Sequence, residues 1–458
     1  VTRFDTPDFS RFFLAIPFLI LTLELPMTTP RIVVVGGGAG GLELATRLGR
    51  KLGKRQRADI VLVDRNPTHI WKPLLHEIAT GTLDSGLDEV SYQGHSKSHG
   101  YRFQRGTLSA IDRDNRTITL EPIHDQDDAV VLPARQIEYD YLVLSVGSVS
   151  NDFGTPGVAR HCHFIDSPQQ AESFRRNMLN TFLRYSDPER RTHPKLTVGL
   201  VGAGATGVEL AAELFGASRM LHSYGFTAMD SGKLEVHLIE AAPRILPALP
   251  ERISRAVHGE LERLGVKIHV DTRVTEANAN GFITADGEPL ETDLSVWAAG
   301  IRAPEFLSEL GLATERNHQI KVNQTLQSLD DERIFAFGDC ASCPQPDDKR
   351  VPPRAQAAHQ QATHCYHNLR AAMDGKPLKP FVYHDRGSLI SLAHFEAVGS
   401  LMRGASARSL FIEGRLAKLF YASLYRMHQM AIHGIFKTGM TVVVDGLNRY
   451  LRPKMKLH

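Results

Sequence analysis

The sequence predicts an α/β fold of two dinucleotide-binding units, the second inserted into the first, followed by a C-terminal region of different character. Three observations predict it. Residues 31–43 read RIVVVGGGAGGLE and residues 197–209 read TVGLVGAGATGVE. The two stretches form an ungapped repeat at an offset of 166 that matches Gly36 with Gly202, Gly38 with Gly204, Gly41 with Gly207 and Glu43 with Glu209. Each copy lies between a short apolar run and a run apolar at helical spacing, the grammar of strand, tight turn and helix. Each is followed by a second apolar run ending in an acid, Asp64 or Glu240, which completes a Rossmann-like βαβ unit.

Residues 1–26 precede this pattern. Arg3 and Arg11 come before the apolar run FFLAIPFLILTL at 12–23, which resembles a signal segment but is short for a membrane span and has no small-residue cleavage site after it. Met27 stands where a start for such a fold would lie, so residues 1–26 are expected to be an extension that the working protein lacks. A strand is expected at 31–35, a helix over LELATRLGRKL and a strand over ADIVLVD. The stretch YRFQRGTLSAIDRDNRTITL has the alternation of antiparallel strands, and YDYLVLSVGS is an apolar strand ending in Gly147. NDFGTPGV (151–158) reads as a linker. The second copy supplies a strand, the turn GAGATG, a helix over VELAAELFGAS and the strand LEVHLIE. TDLSVWAAGI then repeats the earlier ending, WAAGIRAP (297–304) marks the return to the first unit, and RIFAFGDCAS is an apolar strand stopped by Gly338 and Asp339. Beyond Pro380 the chain becomes rich in Leu, Tyr, Met and Arg.

The glycine loops point to pyrophosphate. A helix N-terminus holds such an anion through free N–H groups and the positive end of the helix dipole, provided the backbone comes close. The first glycine makes the turn, the second removes a Cβ that would strike the phosphates, and the third lets helix pack on strand. Asp64 and Glu240 would accept hydrogen bonds from ribose hydroxyls, and Glu240 would repel a 2′-phosphate, although Arg244 four residues on works against that. For Glu43 the ordinary reading is an acid that suits the helix dipole.

Composition excludes other classes. With 42% hydrophobic and 23% charged residues and a net charge of +2, no nucleic-acid partner is expected. Cys162, Cys340, Cys343 and Cys365 are too few and too unevenly placed for a disulfide scaffold, which suits a reducing compartment. No zinc ligand set is visible.

Two glycine fingerprints flanking YDYLVLSVGS, then WAAG and FAFGDCAS, resemble the two-dinucleotide-binding-domain flavoproteins, in which the first copy holds FAD and the second NAD(P)H. Within that superfamily HIWKPLLHEIATGTLD (69–84), HSYG (222–225) and PPRAQAAHQQA (352–362) resemble the type II NADH dehydrogenases, single-subunit bacterial respiratory NADH:quinone oxidoreductases. The resemblance covers roughly residues 30–458. It implies an FAD-binding domain over 27–155 and 299–380, an NADH-binding domain over 156–298, and a membrane-associating region over 381–458. FAD contacts would come from Gly36, Gly38, Gly41, Asp64, Lys72, Thr80, Gly147, Gly338, Asp339 and Ala357, with Asp339 on the ribityl chain. NADH contacts would come from Gly202, Gly204, Gly207, Glu240 and Gly300. Glu209 becomes an orienting or electrostatic residue beside flavin and nicotinamide, and Gln356 and Gln360, one helical turn apart, become quinone-site residues. The implied reaction is non-proton-pumping: hydride passes from NADH to FAD, then two electrons to a membrane quinone. The implied place is the cytoplasmic face of the bacterial inner membrane, peripherally bound to an anionic lipid surface, with a homodimer left open.

Rival readings differ in the electron acceptor. CASC at 340–343 invites a disulfide reductase, but such enzymes carry their pair after the first glycine helix or in the nicotinamide domain, and residues 1–161 hold no cysteine. A ferredoxin reductase, or an NADH-sensing flavoprotein that passes electrons nowhere, keeps the same fold. In the tail, Leu416, Leu419, Phe420, Leu424, Met427, Ala431 and Ile435 are expected along one helical stripe. Such a stripe is ordinarily core. Residues 415–458, however, carry eight Lys/Arg against one acid, Asp445, with Tyr421 and Tyr425 interleaved, the pattern of a helix lying on an anionic membrane.

Overall fold

Ile32, Val33, Val34 and Val35 are all buried, because β1 (Arg31–Val35) runs through the middle of a parallel sheet covered on both faces. The computed structural model describes residues 29–186, 195–225, 231–346, 348–392, 396–402, 409–451 and 455, so the apolar run at 12–23 lies outside the described residues. After β1 come α1 (Ala39–Lys51), β2 (Asp59–Asp64), α2 (Leu75–Thr80), β3 (Arg102–Arg105) and β4 (Tyr141–Leu144). β3 pairs parallel with β2, Arg102 opposite Val61, and not antiparallel as the alternation of its sequence suggested. Alternation reports which face is wet, not strand direction. The antiparallel pairing sits just downstream, where residues 108–112 and 117–120 form a hairpin extended by 135–138.

The chain then leaves this sheet. β5 (Leu196–Val201), α3 (Ala205–Ser223), β6 (Leu234–Ile239), β7 (Val266–His269) and β8 (Leu294–Trp297) build a second parallel sheet in the order β7-β6-β5-β8. It returns at β9 (Ile334–Ala336), which pairs with β4 and completes the first sheet as β9-β4-β1-β2-β3. The second sheet is thus inserted between two adjacent strands of the first.

α4 (Ala355–Met373) then packs against α1. Beyond it an antiparallel sheet, β10 (Gly387–Leu392), β11 (Glu396–Met402) and β12 (Ser409–Glu413), leads into α5 (Gly414–His433) and α6 (Ile435–Leu451). α5 docks on α1. Its last carbonyls, which no helical N–H can satisfy, accept hydrogen bonds from Arg50 at Ile432 (2.7 Å) and from His95 at the same oxygen (3.0 Å). Among the described side chains, the expected apolar stripe is not what α5 buries: His428, Gln429 and Ile432 are inside, Met427 and Ala431 are half-buried, and Leu424 and Ile435 are exposed. His428 tolerates burial because it is hydrogen-bonded to Glu43, and Gln429 because Arg426 donates to it. The side chains of Leu416, Leu419 and Phe420 lie outside the described residues. The bare apolar surface belongs to α6, where Ile435 and Phe436 are each 80% exposed and Met440, Val443, Leu447 and Leu451 are exposed with them. Among the described residues no helix is long and apolar enough to cross a membrane.

Candidate functional site

Ligands of open parallel sheets bind beyond the carboxyl ends of the strands, where connections run off in opposite directions on either side. Both sheets have such a point, at β1 and at β5, and the two open onto one cavity of about 1340 Å³. This exceeds the roughly 300–1,000 Å³ of an ordinary single-ligand site. Its wall includes Val35, Gly36 and Asp64 from the first unit and Val201, Gly202 and Glu240 from the second.

The two glycine turns are built alike. Gly36 has φ +98° and Gly202 φ +101°, a conformation side chains rarely adopt. A Cβ on Gly41 would lie 1.9 Å from the Gly36 carbonyl, and one on Gly207 would lie 2.0 Å from the Gly202 carbonyl, so only glycine lets each helix sit on its strand. At Gly38 and Gly204 a Cβ would meet no protein atom within 4 Å, because that space is cavity. These two residues cap α1 and α3 without any side-chain hydrogen bond, which leaves the helix N–H groups for an anion. The strand-end acids match as well. Asp64 accepts the N–H of Gly37 (2.6 Å) and of Asn66 (2.8 Å), while Glu240 accepts that of Ala203 (2.9 Å) and of Ala242 (2.9 Å). Burial pushes the Asp64 carboxyl up, against those backbone donors. Two uncapped helix ends with an acid beside each fit two dinucleotides.

Residues 30–362 match the pyridine nucleotide-disulphide oxidoreductase family. The type II NADH:quinone oxidoreductase of Haemophilus influenzae is 48% identical over 441 residues, covering 93% of this chain and 99% of that one. The protein of the same name from Staphylococcus aureus is 30% identical, covering 81% of this chain and 89% of its own. The chain belongs to the type II NADH:quinone oxidoreductases. The fold agrees: NDH2 from Plasmodium falciparum, solved in complex with NADH, superposes with a TM-score of 0.79 at 18% identity over 93% of this chain and 100% of that one.

In this type II oxidoreductase chain most residues singled out from sequence meet at the cavity. Gly36, Gly38, Gly41, Asp64, Lys72, Gly147, Gly338 and Asp339 line it from the first unit, and Gly202, Gly204, Glu240 and Gly300 from the second. Lys72 donates to the Ser148 carbonyl (2.8 Å), and Asp339 accepts from the Ser148 hydroxyl (2.8 Å). Three lie outside the lining. Thr80 is buried with its hydroxyl on the His76 carbonyl, Gly207 serves helix packing, and Ala357 faces the core from the side of α4 away from the cavity, where its neighbour Ala358 is the lining residue.

Gln356 and Gln360 do line the cavity, but their amides are spent on backbone. Gln360 donates to the His384 carbonyl (2.9 Å) and accepts its N–H (3.1 Å); Gln356 donates to the Gly387 carbonyl (2.8 Å) and accepts the N–H of Arg386 (3.1 Å). The pair holds segment 384–387 against α4.

Glu209 is buried on α3, its Oε1 on the Ser391 N–H (3.1 Å), with the Tyr421 hydroxyl beside it. Burial, reinforced by Glu77 and Glu213, pushes its carboxyl up to about 8. His76 Nδ1 stands 3.6 Å from Glu209, and burial holds that ring down to about 4. Near neutral pH the two therefore face each other largely uncharged, and they are not an ion pair.

Among the polar residues of the wall to which sequence reasoning gave no site role are Glu43, His69, His359 and His428. Glu43 is no mere helix-dipole acid, since it is buried against His359 and His428. One signal was available, a histidine inside the glutamine motif itself. Cys340 and Cys343 are free and buried, and burial raises both thiols to about 11, opposite to what a redox thiolate needs.

Proposed function

We infer that the chain oxidises NADH and reduces a quinone through bound FAD. The observation that carries this is the pair of uncapped helix N-termini opening onto one cavity. When bound, FAD would supply the redox chemistry that links hydride oxidation of NADH to two-electron reduction of the quinone. The chain's own residues supply position and electrostatics. The α1 N-terminus, Asp64, Lys72 and Asp339 would hold FAD, and the α3 N-terminus with Glu240 would hold NADH, the carboxylate favouring a free ribose hydroxyl over a 2′-phosphate. Glu209, uncharged, lets the cofactors approach without a buried charge. Gln356 and Gln360 shape the quinone end by fixing segment 384–387. Anaerobic NADH should bleach the flavin absorbance and an added benzoquinone should restore it; a flavin that NADH bleaches but no quinone restores would leave only a dehydrogenase with another acceptor.

The exposed apolar face of α6 is read as resting on an anionic lipid surface. Eight Lys/Arg against one acid in residues 415–458 support lipid over a second copy of the chain, since like charges would meet across a homodimer. A quinone dissolved in lipid requires such contact, and a supply of NADH supports a position on the cytoplasmic face of the bacterial inner membrane.

A further inference from the structure

His359 on α4, Glu43 on α1, His428 on α5 and His69 after β2 form one unbroken hydrogen-bonded row along the cavity wall, and hydride transfer from NADH has no use for it. Glu43 Oε2 is bonded to His359 Nδ1, and Oε1 lies 2.8 Å from His428 Nδ1. His428 Nε2 lies 2.9 Å from His69 Nε2, and His69 Nδ1 lies 2.9 Å from the Gly37 carbonyl, which the Tyr92 hydroxyl also donates to at 2.7 Å.

Bond direction follows from chemistry. A carbonyl only accepts, so His69 carries its proton on Nδ1. Burial holds that ring well below its usual range, with His428, His95 and His433 adding repulsion, so it is neutral and its Nε2 accepts from His428. Burial alone would raise Glu43, but hydrogen bonds and attraction from His359 and His428 outweigh it and hold the carboxyl below its usual range. An ionised Glu43 accepts at both oxygens. His359 is thereby fixed with Nδ1–H on the carboxylate, leaving Nε2 as its other ring nitrogen, on a side chain that lines the cavity and is 30% exposed.

We propose that His359 is the proton donor to the quinone, with Glu43 as the positioning residue that orients its ring and His428 and His69 holding Glu43 in turn. The proposal rests on the quinone reductase reading. NADH gives up two electrons and one proton as hydride, whereas quinone needs two electrons and two protons, so NADH + H⁺ + quinone gives NAD⁺ + quinol. His359 gives its Nε2 proton to a quinone oxygen as the electrons arrive, keeps Nδ1–H on Glu43, and is reprotonated by water at its exposed edge.

The same bonds tie α1, α4 and α5 together, so the test separates proton supply from packing. His359→Asn keeps a donor toward Glu43 but cannot carry a proton. In stopped flow, reoxidation of the NADH-reduced holoenzyme by a short-chain benzoquinone should slow about 100-fold, far more than reduction by NADH slows, and should lose its pH dependence. In holoenzyme with labelled histidine, NMR titration should show one imidazole that disappears in His359→Asn and titrates at lower pH in Glu43→Gln, with Glu43→Asp restoring it. Should the Glu43 variants not fold, His359→Ala rescued by added imidazole decides the matter. Unaltered reoxidation with its pH profile intact, or equal slowing of both half-reactions, overturns the proposal. A wild-type flavin that no quinone reoxidises overturns the functional reading and this inference with it.

Discussion

Glu209→Gln should make the protein more stable, and increasingly so as pH rises. A glutamate in the unfolded chain titrates near 4.5, and burial moves Glu209 to about 8 in the folded one. Between those values the folded state holds a proton that the unfolded state has lost, so stability falls as pH climbs. The contribution is complete below 4.5 and gone above about 8. Each pH unit costs about 1.4 kcal/mol, which sums to roughly 4–5 kcal/mol between pH 5 and pH 9. Glutamine keeps the bond to the Ser391 N–H and has no charge to bury. At roughly 2 cal/mol/K per residue of unfolding entropy, the thermal midpoint of the variant should pull ahead of wild type by about 5 °C across that range. Flavin fluorescence and circular dichroism during heating at each pH measure it. A constant difference from pH 5 to pH 9 would refute the reasoning, because it would mean that Glu209 titrates as a solvated acid.

Glu240→Ala should lower the ratio of kcat/KM for NADH over NADPH about tenfold or more, the worth of a charged hydrogen bond, and steady-state kinetics with an unaltered ratio would remove Glu240 from the ribose. Gln356→Ala with Gln360→Ala deletes five bonds to segment 384–387, each worth about 0.5–1.5 kcal/mol, so quinone reduction should fall more than flavin reduction by NADH; equal slowing in stopped flow would place both amides elsewhere. Deleting residues 435–458, which removes α6 and spares α5, should release the protein from anionic vesicles while NADH still reduces a water-soluble acceptor, and a truncated chain that still floats with vesicles would move the docking surface. Deleting from residue 414 should do worse and cost FAD binding, because it strips His428 from Glu43.

The repeat at an offset of 166 made both glycine turns legible, since a glycine that must take a positive φ and one that must admit a carbonyl leave their mark on the residues themselves. The strand-end acids were legible for the same reason, each fixed by backbone N–H groups a few positions away in the unit. What stayed hidden joins distant segments. Nothing local shows that Glu43 meets a histidine 385 positions on, or that α5 buries His428 and Gln429 while Leu424 stays exposed. Thr80 and Ala357 lie outside the cavity lining, because family spacing places a residue near a site without saying which way its side chain turns.

Leu142 of β4 lies opposite Ile334 of β9, so the first sheet cannot close until the whole inserted sheet has been synthesised. At ribosomal speeds of roughly 5–20 residues per second, β1, β2 and β4 wait about 10–40 s for their last strand. Joining ends so far apart through an unstructured loop would cost about 5 kcal/mol in chain entropy. A second sheet that has already folded shortens that loop to the gap between its own two ends. The inserted sheet thus acts as a scaffold for its host, and the first sheet is complete only after its guest.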